Sequence, residues 1–190
     1  MLRRVYTTLF DIALILVLSL FGVGGVWYIF TDTPPEQNTS SRETTTTTPA
    51  PSETYTNIYV VDGDTIHVTS SNGTKESIRL LGIDTPEINH ETIEKSDCYA
   101  LEAREILAEL LKDTDAITLT QDPSQDTRDA YNRLLGYVST SIHPDINKIL
   151  IEFGAAKEYT YKGHAYMRQD MYKTAEAAAK ENGLGLWSCE

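Results

Sequence analysis

The 190-residue chain has room for one domain of ordinary size plus extensions, and its 41% hydrophobic content suits a globular core. A formal net charge of −12 excludes a broad basic surface for gripping nucleic acid, so any such contact must be local. Two cysteines, Cys98 and Cys189, lie too far apart for a CxxC redox or zinc pattern, and four scattered histidines offer no zinc site.

The chain opens with Met1-Leu2-Arg3-Arg4 and an apolar run from Ile12 to Phe30 that carries no charge. That run approaches the ~20 residues a helix needs to cross a bilayer. Arg3 and Arg4 precede it, which keeps the amino end inside and exports the rest. Trp27 and Tyr28 suit the membrane interface. Residues 1–10 are therefore expected to be cytoplasmic and 11–30 to form a transmembrane signal anchor. The alternative is a cleaved signal peptide, which would release the domain as a secreted protein. Residues 31–56 are rich in Thr, Ser and Pro and contain Thr44-Thr45-Thr46-Thr47-Thr48-Pro49. Such a stretch buries too little apolar surface to fold and reads as an exported linker.

From Asn57 onward the pattern is that of a folded domain, 57–190. Ile58 to Val61 and Thr65 to Thr69 are β-prone runs divided by Asp62-Gly63-Asp64, a turn or bulge signal. Ser71-Asn72-Gly73-Thr74 marks a second turn, and Ser77 to Leu81 a third strand. Tyr99 to Leu111 has helical spacing. Ala116 to Thr120 and Leu134 to Val138 read as two further strands. Pro144 to Phe153 and Ala165 to Asn182 read as helices that stop at Gly154 and Gly183. Five short strands and three helices predict an α+β domain built on an OB-type β-barrel.

Three stretches carry charged side chains suited to phosphodiester chemistry. They are Val61-Asp62-Gly63-Asp64-Thr65-Ile66, Arg79-Leu80-Leu81-Gly82-Ile83-Asp84-Thr85-Pro86-Glu87 and Asp129-Ala130-Tyr131-Asn132-Arg133. Asp64 and Asp84 can supply oxygen ligands to Ca²⁺, with a backbone carbonyl and waters completing the shell. Glu87 follows Pro86, which stiffens the turn and suits the carboxylate to orienting or activating water. Arg79 and Arg133 can clamp phosphate oxygens in bidentate fashion.

In order and company, these stretches resemble the staphylococcal nuclease (thermonuclease) family. Gly154-Ala155-Ala156-Lys157, Tyr159-Thr160-Tyr161 and Gly185-Leu186-Trp187-Ser188 follow in the order expected of it. The resemblance spans Asn57 to Glu190 and implies an OB-fold barrel with three helices. It implies Ca²⁺-dependent hydrolysis of DNA and RNA to 3′-phosphate and 5′-hydroxyl ends. Carried over, it makes Asp64, Asp84 and the Thr85 carbonyl the calcium ligands, with Asp62 behind them. Glu87 becomes the general base or water-positioner, and Arg79 and Arg133 the phosphate-binding pair. Tyr131 would sit beside the base or sugar, and Tyr159 and Tyr161 would line the nucleotide pocket.

The chain departs from the family pattern at Ala130, where a Lys is common, and at Asn132, where a Gly is common. The step from Gly154 to the tyrosine pair is one residue shorter than in the staphylococcal enzyme. The domain is acidic where that enzyme is basic. The other reading of the same residues is a catalytically weak binding module for nucleic acid or protein. Cys98 and Cys189 are expected to pair as a disulfide, because the domain reads as exported; the alternative is two free buried thiols. The chain is expected to act as a monomer.

Overall fold

The structure is a computed structural model that describes residues 50–189. The expected anchor and most of the expected linker lie outside the described residues. Among the described residues no helix is long and apolar enough to cross a membrane.

The first strand, β1 (Ser52–Asp62), begins inside the stretch read as linker. Tyr55 is the reason. Its ring is 2% exposed inside the barrel, while Thr54 and Thr56 face outward. Threonine and tyrosine favour extended backbone once a partner strand is present. That partner is β5 (Ala116–Thr120), with Ser52 opposite Thr120 and Thr56 opposite Ala116. A register shift between Thr56 and Tyr59 lets β1 bend from one partner to the next. Asn57 sits in that bulge with φ 50°, a left-handed conformation asparagine tolerates.

The remaining barrel strands are β2 (Thr65–Ser70), β3 (Lys75–Leu80) and β6 (Leu134–Ser139). They close in the order β1-β2-β3-β6-β5, with β3 and β6 parallel and the other pairs antiparallel. Period-two alternation sends Ile66, Val68, Ile78, Leu80, Ile117, Leu119 and Val138 inward. Helix α1 (Ala100–Leu111) buries Ala100, Ala103, Leu107 and Leu111, one face of a helix. Helix α2 (Ile146–Glu152) is capped by Asp145, whose side chain accepts from the Lys148 N–H at 3.0 Å. Helix α3 (Gln169–Glu181) packs on α2. The expected α+β barrel with three helices is therefore present.

One element has no sequence signal of its own. β4 (Ile83–Asp84) and β7 (Lys157–Glu158) form a two-residue ladder outside the barrel, pairing Asp84 with Lys157. Asn147, fully buried, holds the neighbouring chain in place. Its Nδ2 donates to the carbonyls of Leu81 and Gly136 at 2.9 and 3.2 Å, and its Oδ1 accepts from the Val138 N–H at 3.0 Å.

Backbone contacts help dock the carboxyl-terminal segment. Leu186 N–H donates to the Gly154 carbonyl at 2.9 Å. A Cβ at Gly154 would stand 2.2 Å from the Leu184 oxygen, and the residue has φ 67°. Gly154→Ala is expected to lower stability by at least ~2 kcal/mol, since left-handed strain and a backbone clash add. A denaturant midpoint close to that of the wild type would refute this account.

A buried polar network ties the loop after β5 to β6 and α3. Asp122 accepts from the Tyr137 hydroxyl, from Ser124 N–H at 2.9 Å and from Met167 N–H at 2.8 Å. Burial alone would raise the Asp122 carboxyl, but these hydrogen bonds outweigh it and hold it below the ordinary aspartate value. A depressed folded-state value stabilises the fold above the unfolded value near 3.8, and the benefit fades as pH falls through the folded one. Asp122→Asn is therefore expected to destabilise at pH 7 and progressively less below pH ~4. Denaturation midpoints of both proteins from pH 2 to 7 check this, and a gap that widened in acid would contradict it.

Candidate active site

Asp64, Arg79 and Asp84 converge where the β1–β2 turn, the end of β3 and β4 meet, and Arg133 reaches the same turn from the loop before β6. Thr65 and Arg79 are cross-strand partners, which sets the Asp62-Gly63-Asp64 turn beside Arg79. The Arg79 guanidinium lies between two carboxylates, with Nη1 2.5 Å from Asp64 Oδ2 and Nη2 2.8 Å from Asp84 Oδ1. Nη1 is buried and meets Asp64 as an ion pair without hydrogen-bond geometry.

Asp64 is 5% exposed and heavily tethered. Its Oδ2 accepts from Thr85 N–H and Oγ1 at 3.2 and 3.1 Å, and its Oδ1 from Thr65 Oγ1 at 3.0 Å. Gly63 permits this closeness, because a Cβ there would stand 2.9 Å from the Thr85 side chain. Each carboxylate oxygen keeps acceptor capacity beyond these bonds.

The acidic groups repel one another. Burial is the first cause lifting Asp62, Asp84 and Glu87 above their ordinary values, and neighbouring negative charge adds to it. Arg79 opposes the rise at all three, and Lys157, across the ladder from Asp84, opposes it there. Ile88 is buried and anchors the turn, while Glu87 faces solvent beside the cluster. Glu87 N–H donates to Asp97 Oδ2 at 3.1 Å, and Asp97 N–H returns a bond to the Glu87 carbonyl at 3.0 Å. The next residue, Cys98, is disulfide-bonded to Cys189, as expected of an oxidised pair.

Arg133 reaches the cluster from the other side. Its Nη1 lies 3.4 Å from Thr65 Oγ1, and its Nε donates to Asp129 Oδ2 at 2.7 Å. Asp129 organises the whole turn, accepting the N–H groups of Tyr131 and Arg133, each at 2.9 Å. Burial would raise the Asp129 carboxyl, but its bonds from Arg133 hold it below the ordinary value. Asn132 takes φ 64° here, so the departure from the family glycine is absorbed by a residue that tolerates that conformation.

Tyr131 is 82% exposed, with Arg133 5.4 Å from its ring centroid. Tyr159 and Tyr161 are exposed neighbours 6.4 Å apart, and Tyr159 N–H donates to the Gly82 carbonyl at 3.0 Å. That bond carries the tyrosine pair to the strand bearing Asp84.

Thr65 and Asp129 also shape the site, though neither has a role assignable from the motifs alone. Aspartate opening a tight turn was the available signal for Asp129. Thr65 had none, because its role depends on cross-strand pairing. Among the described residues, no three His, Cys, Asp or Glu side chains gather closely enough to hold a metal. The donor set nonetheless suits a hard cation. Asp64 and Asp84 converge on one guanidinium, and Ca²⁺ accepts carbonyl and water ligands beside carboxylates.

Comparison with known proteins agrees with this geometry. The profile of the family described as staphylococcal nuclease homologue matches residues 77–189. Endonuclease YhcR of Bacillus subtilis (strain 168) is 31% identical over 68% of this chain, a match covering 11% of that protein. Endonuclease YncB of the same strain is 34% identical over 67% of this chain and 58% of its own length. The uncharacterized protein MJ1439 of Methanocaldococcus jannaschii is 30% identical, with 69% and 70% covered respectively. The chain thus spans only part of its endonuclease-named relatives. That profile covers more than half of the chain, and the barrel with Arg79 between Asp64 and Asp84 accords with it: the chain belongs to the staphylococcal nuclease homologue family.

Proposed function

We propose that this chain is a Ca²⁺-dependent nuclease that hydrolyses DNA and RNA to 3′-phosphate and 5′-hydroxyl ends. The observation that carries the reading is Arg79, held between Asp64 and Asp84 while Arg133 reaches the same turn from the other side. Asp64, Asp84 and the Thr85 carbonyl would hold Ca²⁺, with Asp62 behind them. When bound, the ion supplies positive charge against the phosphate oxygens.

The chain's own groups do the rest. Arg79 and Arg133 bind the non-bridging oxygens from two sides and strengthen their hold as negative charge grows there. Glu87, exposed beside the cluster, takes a proton from the attacking water. The water oxygen joins phosphorus, the bond to the 5′ oxygen breaks, and that oxygen leaves as a hydroxyl after protonation. Tyr131 stacks against sugar or base beside Arg133, and Tyr159 and Tyr161 flank the nucleotide.

The test is cleavage of labelled single-stranded DNA and RNA by the purified full-length chain, with Ca²⁺ and with chelator. Cutting only with Ca²⁺ is the expected result. Binding without cutting under any condition would leave the weak binding module as the better reading.

The placement is part of the proposal. Residues 11–30 anchor a monomeric domain, which begins with β1 at Ser52, outside the cell through the Thr-rich stretch before it. The Cys98–Cys189 bridge supports this, since such bonds persist in oxidising surroundings. Protease should remove the domain from intact cells, and the mass of the mature amino terminus would show whether the anchor is retained.

A further inference from the structure

The outer face of the β1–β2–β3 sheet leads away from the active site in three rungs. Strand pairing sets Asp62, Thr65 and Arg79 on the first, Tyr59, His67 and Ser77 on the second, and Thr56, Thr69 and Lys75 on the third. Alternation turns these side chains outward, since Ile66, Val68 and Ile78 between them are buried in the core. The first rung belongs to the phosphate cluster. The second carries a ring pair, Tyr59 and His67, with centroids 6.3 Å apart and planes 33° apart. Tyr59 is 61% exposed and His67 is exposed.

The second and third rungs hold no carboxylate, in a chain of net charge −12. They present two rings, hydroxyls and one lysine. His67 stands two residues along β2 from Thr65, about 7 Å at the rise of an extended strand. That places the rings within reach of the nucleotide adjoining a phosphate held by Arg79. A cross-strand ring pair also steadies the sheet, but packing alone does not require the exposure Tyr59 keeps.

We propose that Tyr59 and His67 form a base-stacking subsite for a nucleotide flanking the scissile phosphate of a single strand. This rests on the nuclease reading for its substrate. Every base offers a π-face, so the subsite reads no particular sequence. It also supplies affinity without the broad basic surface that this acidic chain lacks.

The test compares the full-length chain with Tyr59→Thr/His67→Thr, which removes the rings and keeps β-prone residues, and with Tyr59→Phe/His67→Phe. With Ca²⁺, the threonine variant should raise KM for a ten-nucleotide single strand about tenfold at unchanged kcat, as expected for one lost stack. A ten-unit abasic strand, which offers no base to stack, should be cut equally well by the threonine variant and the wild type. The phenylalanine variant should behave as wild type. An unchanged KM on the ten-nucleotide strand, an equal loss on the abasic strand, or failure of the phenylalanine variant would overturn the subsite. If the wild type does not cut, the nuclease reading fails by itself. Fluorescence anisotropy with the same ten-nucleotide strand then decides the subsite. About tenfold weaker binding by the threonine variant retains it; equal binding, or no binding by the wild type, overturns it.

Discussion

Arg133→Ala is expected to reduce turnover by about 10²–10³-fold while leaving the fold intact, the scale of losing one preorganised donor to a developing oxyanion. Arg133 is the cleaner of the two arginines to remove. Its ion pair is with Asp129, in a turn whose backbone bonds remain when the guanidinium is gone. Arg79 instead stands between Asp64 and Asp84, so Arg79→Ala would leave two partly buried carboxylates facing each other unscreened. Its loss of activity would be mixed with a loss of stability. Glu87→Ala should match Arg133→Ala, because that carboxylate makes no structural bond among those described and only its backbone is clasped by Asp97. Single-turnover cleavage together with circular dichroism separates these cases. Near-normal activity in either variant would show that the roles are assigned wrongly.

Replacing both cysteines, Cys98→Ser/Cys189→Ser, is expected to lower stability by about 2–5 kcal/mol, because the bridge closes a long loop and restricts the unfolded chain. The sequence separation is 91, so the restriction spans most of the domain. The bridge also meets the site at both ends. Cys98 follows Asp97, which holds Glu87 by two hydrogen bonds. Cys189 ends the segment containing Trp187, whose ring lies beneath the ammonium groups of Lys157 and Lys180 at 5.4 and 4.3 Å. Lys157 in turn faces Asp84 across the β4–β7 ladder. The denaturant midpoint should therefore fall, and turnover should fall with it below the transition. A variant as stable as wild type would mean that packing of Leu186 and the Gly154 contact hold the carboxyl end without the bridge.

Much of this protein was legible in one dimension. Alternating β-branched runs, Asp-Gly turns and helices closed by Gly154 and Gly183 specify local structure through steric and hydrophobic rules that act within a few residues. The three charged stretches carry enough chemistry to name Asp64, Arg79, Asp84, Glu87 and Arg133 before any coordinate is known. The start of β1 was not legible, because Ser52 to Thr56 looks like linker until β5 supplies the missing hydrogen bonds and the barrel takes in Tyr55. The β4–β7 ladder is two residues on each side, shorter than any periodicity can mark.

Side-chain chemistry and backbone propensity are local properties, so residue order alone specifies which charged groups exist and which short segments present them. Their company came from closure of the fold. Closure of the barrel set Thr65 opposite Arg79, brought Arg133 to Thr65 from a turn far along the chain, and paired Lys157 with Asp84. It also left Tyr59 and His67 as an open ring pair beside that cluster. Such pairings arise from strand register and loop closure, which depend on the burial of the whole core at once.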